Sequence, residues 1–212
     1  MTNENEIGST IRGAYVQLRA IEPDDLEFLA MVTNDRTVSG MVVGWDFPVS
    51  VHGQTRWLEH ASSDPRNKRL MVVGPGGERI GMTGLWDIDW QARHAIGAIK
   101  LHPPALTQKG IGTDAIKTLS AWAFYDVGLQ KIQGSILDFN GPSLGAYAKK
   151  CGWKIEGVFR RHVYRKGEYH DAYWVSILKE EFDALPDAAE YIDRVVPVDA
   201  AAKVDALPEW FA

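Results

Sequence analysis

The segment Thr107-Gln-Lys-Gly-Ile-Gly-Thr113 constrains the fold more than any other part of the sequence. It follows a strand-like apolar stretch, Ala95–Leu101, and precedes an amphipathic stretch, Thr113–Val127, with apolar residues at helical spacing. Gly110 and Gly112 allow the backbone to approach a ligand closely. The N–H groups at a helix start lack intrahelical partners and the helix dipole favours anions there, so we expect this loop to bind a diphosphate.

Two other phosphate-binding patterns are excluded by the sequence of this loop. It lacks the Gly-x-Gly-x-x-Gly pattern with a later acidic residue that binds dinucleotides, and it lacks the Gly-Lys-Ser/Thr ending of nucleotide P-loops. A strand–glycine–helix turn is also a frequent purely structural element. Taken alone, the loop leaves the binding and the structural interpretation open.

Apolar periodicity on both sides of the loop predicts an α/β fold of mixed α+β type. The pattern gives early helices, an antiparallel meander and then a strand–helix–strand–helix–strand order. We therefore expect a central mixed, mostly antiparallel twisted sheet of about seven strands flanked by helices on both faces. Helices are predicted to begin at Pro23 and Ser50 and to span Thr113–Val127 and Pro142–Lys150. The predicted strands are Ala14–Ile21, Arg69–Val73, Ile80–Ile88, Ala95–Leu101, Lys131–Leu137, Trp153–Arg160 and Ala172–Leu178.

Three regions are predicted along the chain. Residues 1–11 are polar and are expected to be a flexible N-terminus, and residues 12–182 form the domain. Residues 183–212 form an acidic extension, with Glu180–Arg194 of helical character and an aromatic end at Trp210 and Phe211. We expect this extension to dock on the domain or on a second subunit.

Composition excludes several classes of protein. The 212 residues include 23 Lys and Arg against 28 Asp and Glu, a net charge of −5, which argues against nucleic-acid binding. A single cysteine, Cys151, excludes an intramolecular disulfide, and no residues stand at metal-ligand spacing around it. No apolar run approaches the roughly 18 residues of a membrane span. We expect a cytoplasmic protein with no metal and no membrane or nucleic-acid partner.

A second motif lies about 30 residues beyond the glycine loop: Asn140-Gly-Pro-Ser-Leu-Gly-Ala-Tyr147, followed by Gly152-Trp153. In this order, the two motifs resemble those of the GNAT superfamily of N-acetyltransferases, in particular its RimJ/RimL-like branch. The family loop reads Gln/Arg-x-x-Gly-x-Gly/Ala. Here Thr107 stands where Gln or Arg is usual, and Gln108 follows one place later.

The resemblance implies a fold, a cofactor and a set of binding residues. Acetyl-coenzyme A, used as co-substrate, would lie in a V-shaped split between the fourth and fifth predicted strands. Backbone groups of the fourth strand would bind the pantetheine arm and polarise the thioester carbonyl. The implied cofactor contacts are Ile99, Lys100, Leu101, Thr107, Gln108, Lys109, Gly110, Ile111, Gly112, Thr113, Asn140, Ser143 and Tyr147.

Tyr147 is the predicted general acid of a direct, ternary-complex transfer. A phenol with a pKa near 10 is protonated at neutral pH and can protonate a departing thiolate. Ser143 and Tyr147 are four residues apart, so a helix places them on one face. Packing alone is the other explanation for a tyrosine here. Asn140 is either a helix cap or a pantetheine contact, or both.

Asp87 and Asp89 are the candidate general bases. They alternate with Trp86, Ile88 and Trp90 along a predicted strand, which would put the two acids on one face. If that face lines the acceptor cleft, the carboxylates can bind or deprotonate a cationic amine. A solvated polar face at a strand end explains the pattern equally well.

The resemblance implies an acceptor that is a primary amine: a small cationic amine, a polyamine, an amino sugar or antibiotic, or a protein N-terminus. Net acidity and the two aspartates favour a small cationic amine. The alternative is a non-catalytic sensor or interaction module that binds acyl-coenzyme A on the same fold. Family habit and the aromatic end predict a homodimer. Tryptophans that can line the acceptor side are Trp45, Trp57, Trp86 and Trp90.

Overall fold

The computed structural model of the protein describes residues 10–44, 47–102 and 110–196. Eight strands form one sheet in the order β1-β2-β3-β4-β5-β6-β8-β7, and all neighbouring pairs except β5 and β6 are antiparallel. The strands are β1 Ile11–Arg12, β2 Gln17–Ala20, β3 Lys68–Val73, β4 Arg79–Asp89, β5 His94–Leu101, β6 Lys131–Leu137, β7 Lys154–Arg165 and β8 Glu168–Leu178.

Strands β5 and β6 form the predicted V-shaped split. They pair in parallel only between His94–Ile96 and Lys131–Gln133, and beyond this point no pairing joins them within the described residues. Gly134 lies at the apex of the split, where an added Cβ would meet the Gly97 carbonyl at 2.9 Å. The two strands were predicted as the fourth and fifth, and they are the fifth and sixth because the short β1 precedes them.

The N-terminal segment forms two strands where one, Ala14–Ile21, was predicted. The chain turns at Gly13, whose N–H donates to the Val16 carbonyl at 2.8 Å. The N–H groups of Ala14 and Tyr15 donate to the Asp114 carboxylate instead of to a strand neighbour. A side chain distant in sequence therefore replaces the ladder bonds of this segment.

Helices cover both faces of the sheet. Ser50 caps α3 as predicted, since its Oγ accepts the Gly53 N–H at 3.0 Å. The predicted helix Pro142–Lys150 is one α-helical turn, α5, followed by a π-helical segment, Gly145–Lys150. The helices are α1 Leu26–Asn34, α2 Arg36–Ser39, α3 Val51–Ser63, α4 Ile111–Tyr125, α5 Gly141–Leu144, α6 Lys179–Asp183 and α7 Ala188–Val195.

The described part of the C-terminal extension packs on the domain. Tyr191 of α7 is 8% exposed, and its hydroxyl donates to Asp114 of α4 at 2.8 Å. Lys117 of α4 forms an ion pair with Asp187, just before α7. These contacts join residues 187–191 to α4, while Trp210 and Phe211 lie outside the described residues. Among the described helices, none has the length and apolar character needed to cross a membrane.

Candidate active site

Two cavities meet in the split between β5 and β6. The α4 cavity has a volume of about 330 Å³ and runs from Gly112 and Ile116 of α4 along the end of β5. The β4 cavity has a volume of about 280 Å³ and lies against Trp86 and Asp87 of β4. Both cavities are lined by Ile99, Lys100, Met41, Val42, Asn140, Ser143 and Tyr147.

The N-terminus of α4 has the geometry of an anion site. Gly110 is the N-cap in a left-handed conformation, with φ of 94°, and no side chain caps the helix. Gly112 lines the α4 cavity, whereas the Ile111 side chain is 3% exposed and belongs to the core. Backbone amides of this turn are thus the groups that can meet a diphosphate. The predicted contacts Thr107, Gln108 and Lys109 lie outside the described residues.

Tyr147 lies where the two cavities join and is 7% exposed. Its ring packs edge-on against Trp153, with ring centroids 4.8 Å apart. Burial raises the pKa of the phenol well above its usual value, and nearby Cys151 adds to this, while a hydrogen bond with the Ile99 backbone opposes it. The phenol is therefore protonated across the neutral range and can act as a proton donor.

Asn140 and Ser143 stand beside Tyr147 on both cavities. The Asn140 Oδ1 accepts the Ser143 N–H at 3.2 Å, so Asn140 caps α5 as predicted. Its Nδ2 donates to the Met41 carbonyl at 3.1 Å, which ties α5 to the segment after α2. Asn140 can hold a cofactor only through groups or lone pairs that these two bonds leave available.

Lys100 contributes a side chain to the site that sequence reasoning treated only as backbone. It is 9% exposed, and its Nζ lies 4.5 Å from the centre of the Trp86 ring. Burial lowers the pKa of Lys100 to about 7, and the nearby Arg69 cation adds to this. The Arg69 guanidinium lies 4.1 Å from the same ring. The sequence Ile99-Lys100-Leu101 on a strand gives no signal that the lysine side chain is buried.

Asp87 and Asp89 are not on one face, contrary to the alternation predicted. Asp87 has a positive φ of 48°, and the pairing of β4 with β5 shifts register between Trp86 and Asp89. Such a bulge re-aims the side chains that follow it. Asp87 lines the β4 cavity, with its side chain 65% exposed and 3.8 Å from Arg66.

Asp89 caps a turn outside the two cavities of the split. Its Oδ1 accepts the N–H groups of Gln91 and Ala92 at 3.0 and 2.8 Å. The hydrogen bond from Ala92 is the main cause that lowers the pKa of this carboxylate. A carboxylate engaged in this way is a poor proton acceptor, because its charged form is already stabilised.

The tryptophans predicted near the acceptor are dispersed. Trp86 lines the β4 cavity, Trp57 lines a separate cavity between α1 and α3, and Trp90 is 50% exposed. Trp45 lies outside the described residues. Cys151 is 1% exposed, and burial raises the pKa of its thiol to about 12, which makes it a poor nucleophile. Within the described residues, no group of His, Cys, Asp and Glu is arranged to hold a metal ion.

Comparison with known proteins identifies the family. Residues 16–154, more than half of the chain, match the family model of the acetyltransferase (GNAT) domain. The chain belongs to the GNAT acetyltransferase family. It is thus an N-acetyltransferase that takes the acetyl group of acetyl-coenzyme A as co-substrate and transfers it to an amine, as the two motifs predicted.

The relatives and solved structures agree with this assignment. The SPbeta prophage-derived uncharacterized N-acetyltransferase YokL of Bacillus subtilis is 25% identical over 171 residues, covering 81% of this chain and 94% of YokL. The spermidine N(1)-acetyltransferase of Escherichia coli (strain K12) is 25% identical over 167 residues, covering 79% and 88% of the two chains. A crystal structure of spermidine N-acetyltransferase from Vibrio cholerae, in complex with CoA and spermine, matches with a TM-score of 0.73 and 24% identity. That match covers 78% of this chain and 96% of the Vibrio chain and confirms the predicted fold.

Proposed function

We propose that acetyl-coenzyme A binds in the α4 cavity and that a primary amine reaches the thioester through the β4 cavity. Tyr147 is the general acid of this transfer. The main support is the position of Tyr147, which lines both cavities at their junction. The pantetheine arm would run from the α4 N-terminus along Ile99–Leu101, and the diphosphate would rest on the amides around Gly110 and Gly112.

Each atom transferred has a place in this arrangement. The amine nitrogen attacks the thioester carbonyl, a nitrogen–carbon bond forms, and the carbon–sulfur bond breaks. The proton of the Tyr147 hydroxyl moves to the departing sulfur, and the phenol regains a proton from the amine or from solvent. Backbone groups of β5 between Ile99 and Leu101 polarise the thioester carbonyl and stabilise the oxyanion.

The acceptor must lose a proton before it attacks. Asp87 is the carboxylate that lines the β4 cavity, and we assign to it the attraction of an ammonium group and the acceptance of its proton, directly or through water. Asp89 has no corresponding place, because it caps a turn. Where it is protonated, the buried Lys100 adds positive potential to the cavity, which favours the neutral form of a bound amine.

We infer that the acceptor is a small cationic amine, because Asp87 lines the β4 cavity. From the residue pattern of the two motifs we also infer that the chain belongs to the RimJ/RimL-like branch. Because the Escherichia coli and Vibrio cholerae relatives are named as spermidine acetyltransferases, we propose spermidine as the first amine to test. The net charge of −5 supports attraction of a cation.

A thiol-release assay with acetyl-coenzyme A across an amine panel tests the proposed acceptor. The panel contains spermidine, spermine, an aminoglycoside, glucosamine and a peptide with a free N-terminus. We expect saturable turnover with the small cationic amines and little with the peptide. Turnover with the peptide alone would contradict the acceptor class and leave the transfer itself intact.

We further propose that the protein acts in the cytoplasm as a homodimer. Strand β7 is an edge of the sheet and exposes the apolar side chains Ile155, Val158 and Phe159, each 44–50% exposed. Exposed apolar edges of this kind are typical of surfaces that pair with another chain. A monomeric mass by light scattering at micromolar concentration would contradict the dimer.

A further inference from the structure

A third cavity, here called the Arg69 cavity, lies between helices α1 and α3 on the sheet face that carries Trp86. Its volume is about 530 Å³, and it shares no described lining residue with the α4 and β4 cavities. Much of its wall is apolar and consists of Leu29, Phe47, Trp57 and Met82. The proposed transfer gives this space no role.

Arg69 supplies a cation to this wall. Its Nε is buried and has no hydrogen-bond partner, and its Nη2 makes one long bond, 3.3 Å, to Asn67. Across the described residues, no carboxylate lines the cavity and none forms an ion pair with Arg69. The Trp86 ring faces the guanidinium, but a ring cannot accept the in-plane Nε–H.

The polar atoms opposite Arg69 also favour an anion. Gln54 lines the cavity and is 8% exposed, and its side-chain amide forms no hydrogen bond with another described residue. Ser50 and Gly53 of the first turn of α3 line the same wall, so the positive end of a 13-residue helix faces the cavity. A half-buried cation with an unpartnered Nε–H, an unpartnered amide and a helix N-terminus thus converge on one apolar space.

We propose that the Arg69 cavity binds a small carboxylate with an apolar body. The carboxylate would pair with the Arg69 guanidinium and accept from the Gln54 amide, and the body would pack against Trp57 and Met82. An Arg–carboxylate pair satisfies two donors in one plane, including the Nε–H that is now unpartnered. The apolar wall selects an organic acid over inorganic phosphate.

This site adjoins the acceptor side of the proposed reaction. Arg69 and Lys100 both lie on the Trp86 ring, and the Arg69 charge lowers the pKa of Lys100. A carboxylate on Arg69 would partly neutralise that charge. Occupation of the Arg69 cavity would therefore change the electrostatic potential in the β4 cavity.

Calorimetric titration of the full chain, without acetyl-coenzyme A, tests the proposal. The probes are phenylacetate, hexanoate and indole-3-acetate, with phenylacetamide as the neutral match. We expect at least one acid to bind saturably below about 1 mM. Phenylacetamide and the Arg69→Gln variant should each show binding weakened by about tenfold or more, because a charge-assisted bond is lost.

Two further variants separate binding from folding. Gln54→Glu puts a negative charge in the cavity and should weaken binding of the acids by about tenfold, since the anions repel. Thr55→Glu adds a negative charge at the next position of α3, which is exposed. This variant should bind the acids as tightly as the wild type does. Circular dichroism melts verify that each variant is folded.

Three results would overturn the proposal: no acid binds, acid and amide bind equally, or Thr55→Glu weakens binding as much as Gln54→Glu. Because binding is measured without cofactor, failure here leaves the acetyl transfer untouched. Where an amine is found to be acetylated, kinetics identify the source of the carboxylate. If hexanoate competes with the amine, the carboxylate that binds Arg69 belongs to the acceptor. If hexanoate inhibits non-competitively, the carboxylate belongs to a separate effector molecule. Both outcomes require the Arg69 site.

Discussion

Replacing Tyr147 with phenylalanine is expected to lower kcat by about 100-fold, because the departing thiolate loses its proton donor. The acetyl-coenzyme A dissociation constant should change by less than about threefold, since the ring and its contact with Trp153 are retained. The thiol-release rate at saturating substrates gives kcat, and calorimetry gives the affinity. The Tyr147→Phe variant is thus expected to lose kcat while it keeps its affinity for the cofactor.

Tyr125→Phe is the matched control for this variant. Tyr125 also loses a hydroxyl with hydrogen bonds, to Asp183 and from Lys179, but it lies at the C-terminal end of α4, away from the split. Its kcat should remain within about twofold of the wild type. Full turnover in Tyr147→Phe would remove the phenol from the mechanism and leave it a packing role.

The same phenol restricts the pH profile. Burial raises the pKa of Tyr147, so the phenol keeps its proton as pH rises through the usual tyrosine pKa near 10. In a profile of kcat against pH, any fall in kcat between neutral pH and about pH 10 should therefore not come from ionisation of Tyr147.

Asp114→Ala is expected to destabilise the fold by about 3–5 kcal/mol, which is large for a single substitution. The Asp114 carboxylate is 2% exposed and accepts four hydrogen bonds, three from backbone N–H groups and one from a hydroxyl. Alanine leaves all four donors without this acceptor, and the hydrogen bonds lost from Val16 and Tyr191 are buried. The donors are Ala14, Tyr15, Val16 and Tyr191.

Thermal melts measure this effect, and the aspartate directly after α4 controls for it. Asp126→Ala removes an exposed carboxylate that accepts only the Trp122 indole N–H, so it should cost less than about 1 kcal/mol. Asp114→Asn keeps one acceptor oxygen and should lie between the two. Similar melting temperatures for Asp114→Ala and Asp126→Ala would show that the N-terminal segment is held by its apolar contacts instead.

Local sequence patterns predicted the elements that build the split. The Ser50 and Asn140 caps, the left-handed conformation of Gly110 and the helix after it depend on neighbours within four residues, and the structure has each of them. The pairing geometry of β5 and β6 followed from the resemblance, because strand order is not encoded in periodicity.

Long-range contacts account for what the sequence did not predict. Asp114 resembles an ordinary acid in the first turn of a helix, but its partners lie about 100 residues earlier and 77 residues later. The bulge at Asp87 breaks the alternation expected of a regular strand, so a period of two misplaced Asp89. Lys100 and Arg69 become neighbours only when β3, β4 and β5 assemble around Trp86.

Calorimetric titration with acetyl-coenzyme A tests the central claim, that amides at the α4 N-terminus bind the diphosphate. Gly112→Asp places a carboxylate on the α4 cavity, where an added Cβ lies 3.7 Å from Leu101 and so fits the fold. Thr55→Asp, at an exposed position of α3 that does not line the α4 cavity, is the control. We predict micromolar affinity in the wild type and the control and at least about tenfold weaker binding in Gly112→Asp. No binding to the wild type at millimolar cofactor, or equal affinity in all three proteins, would contradict the claim.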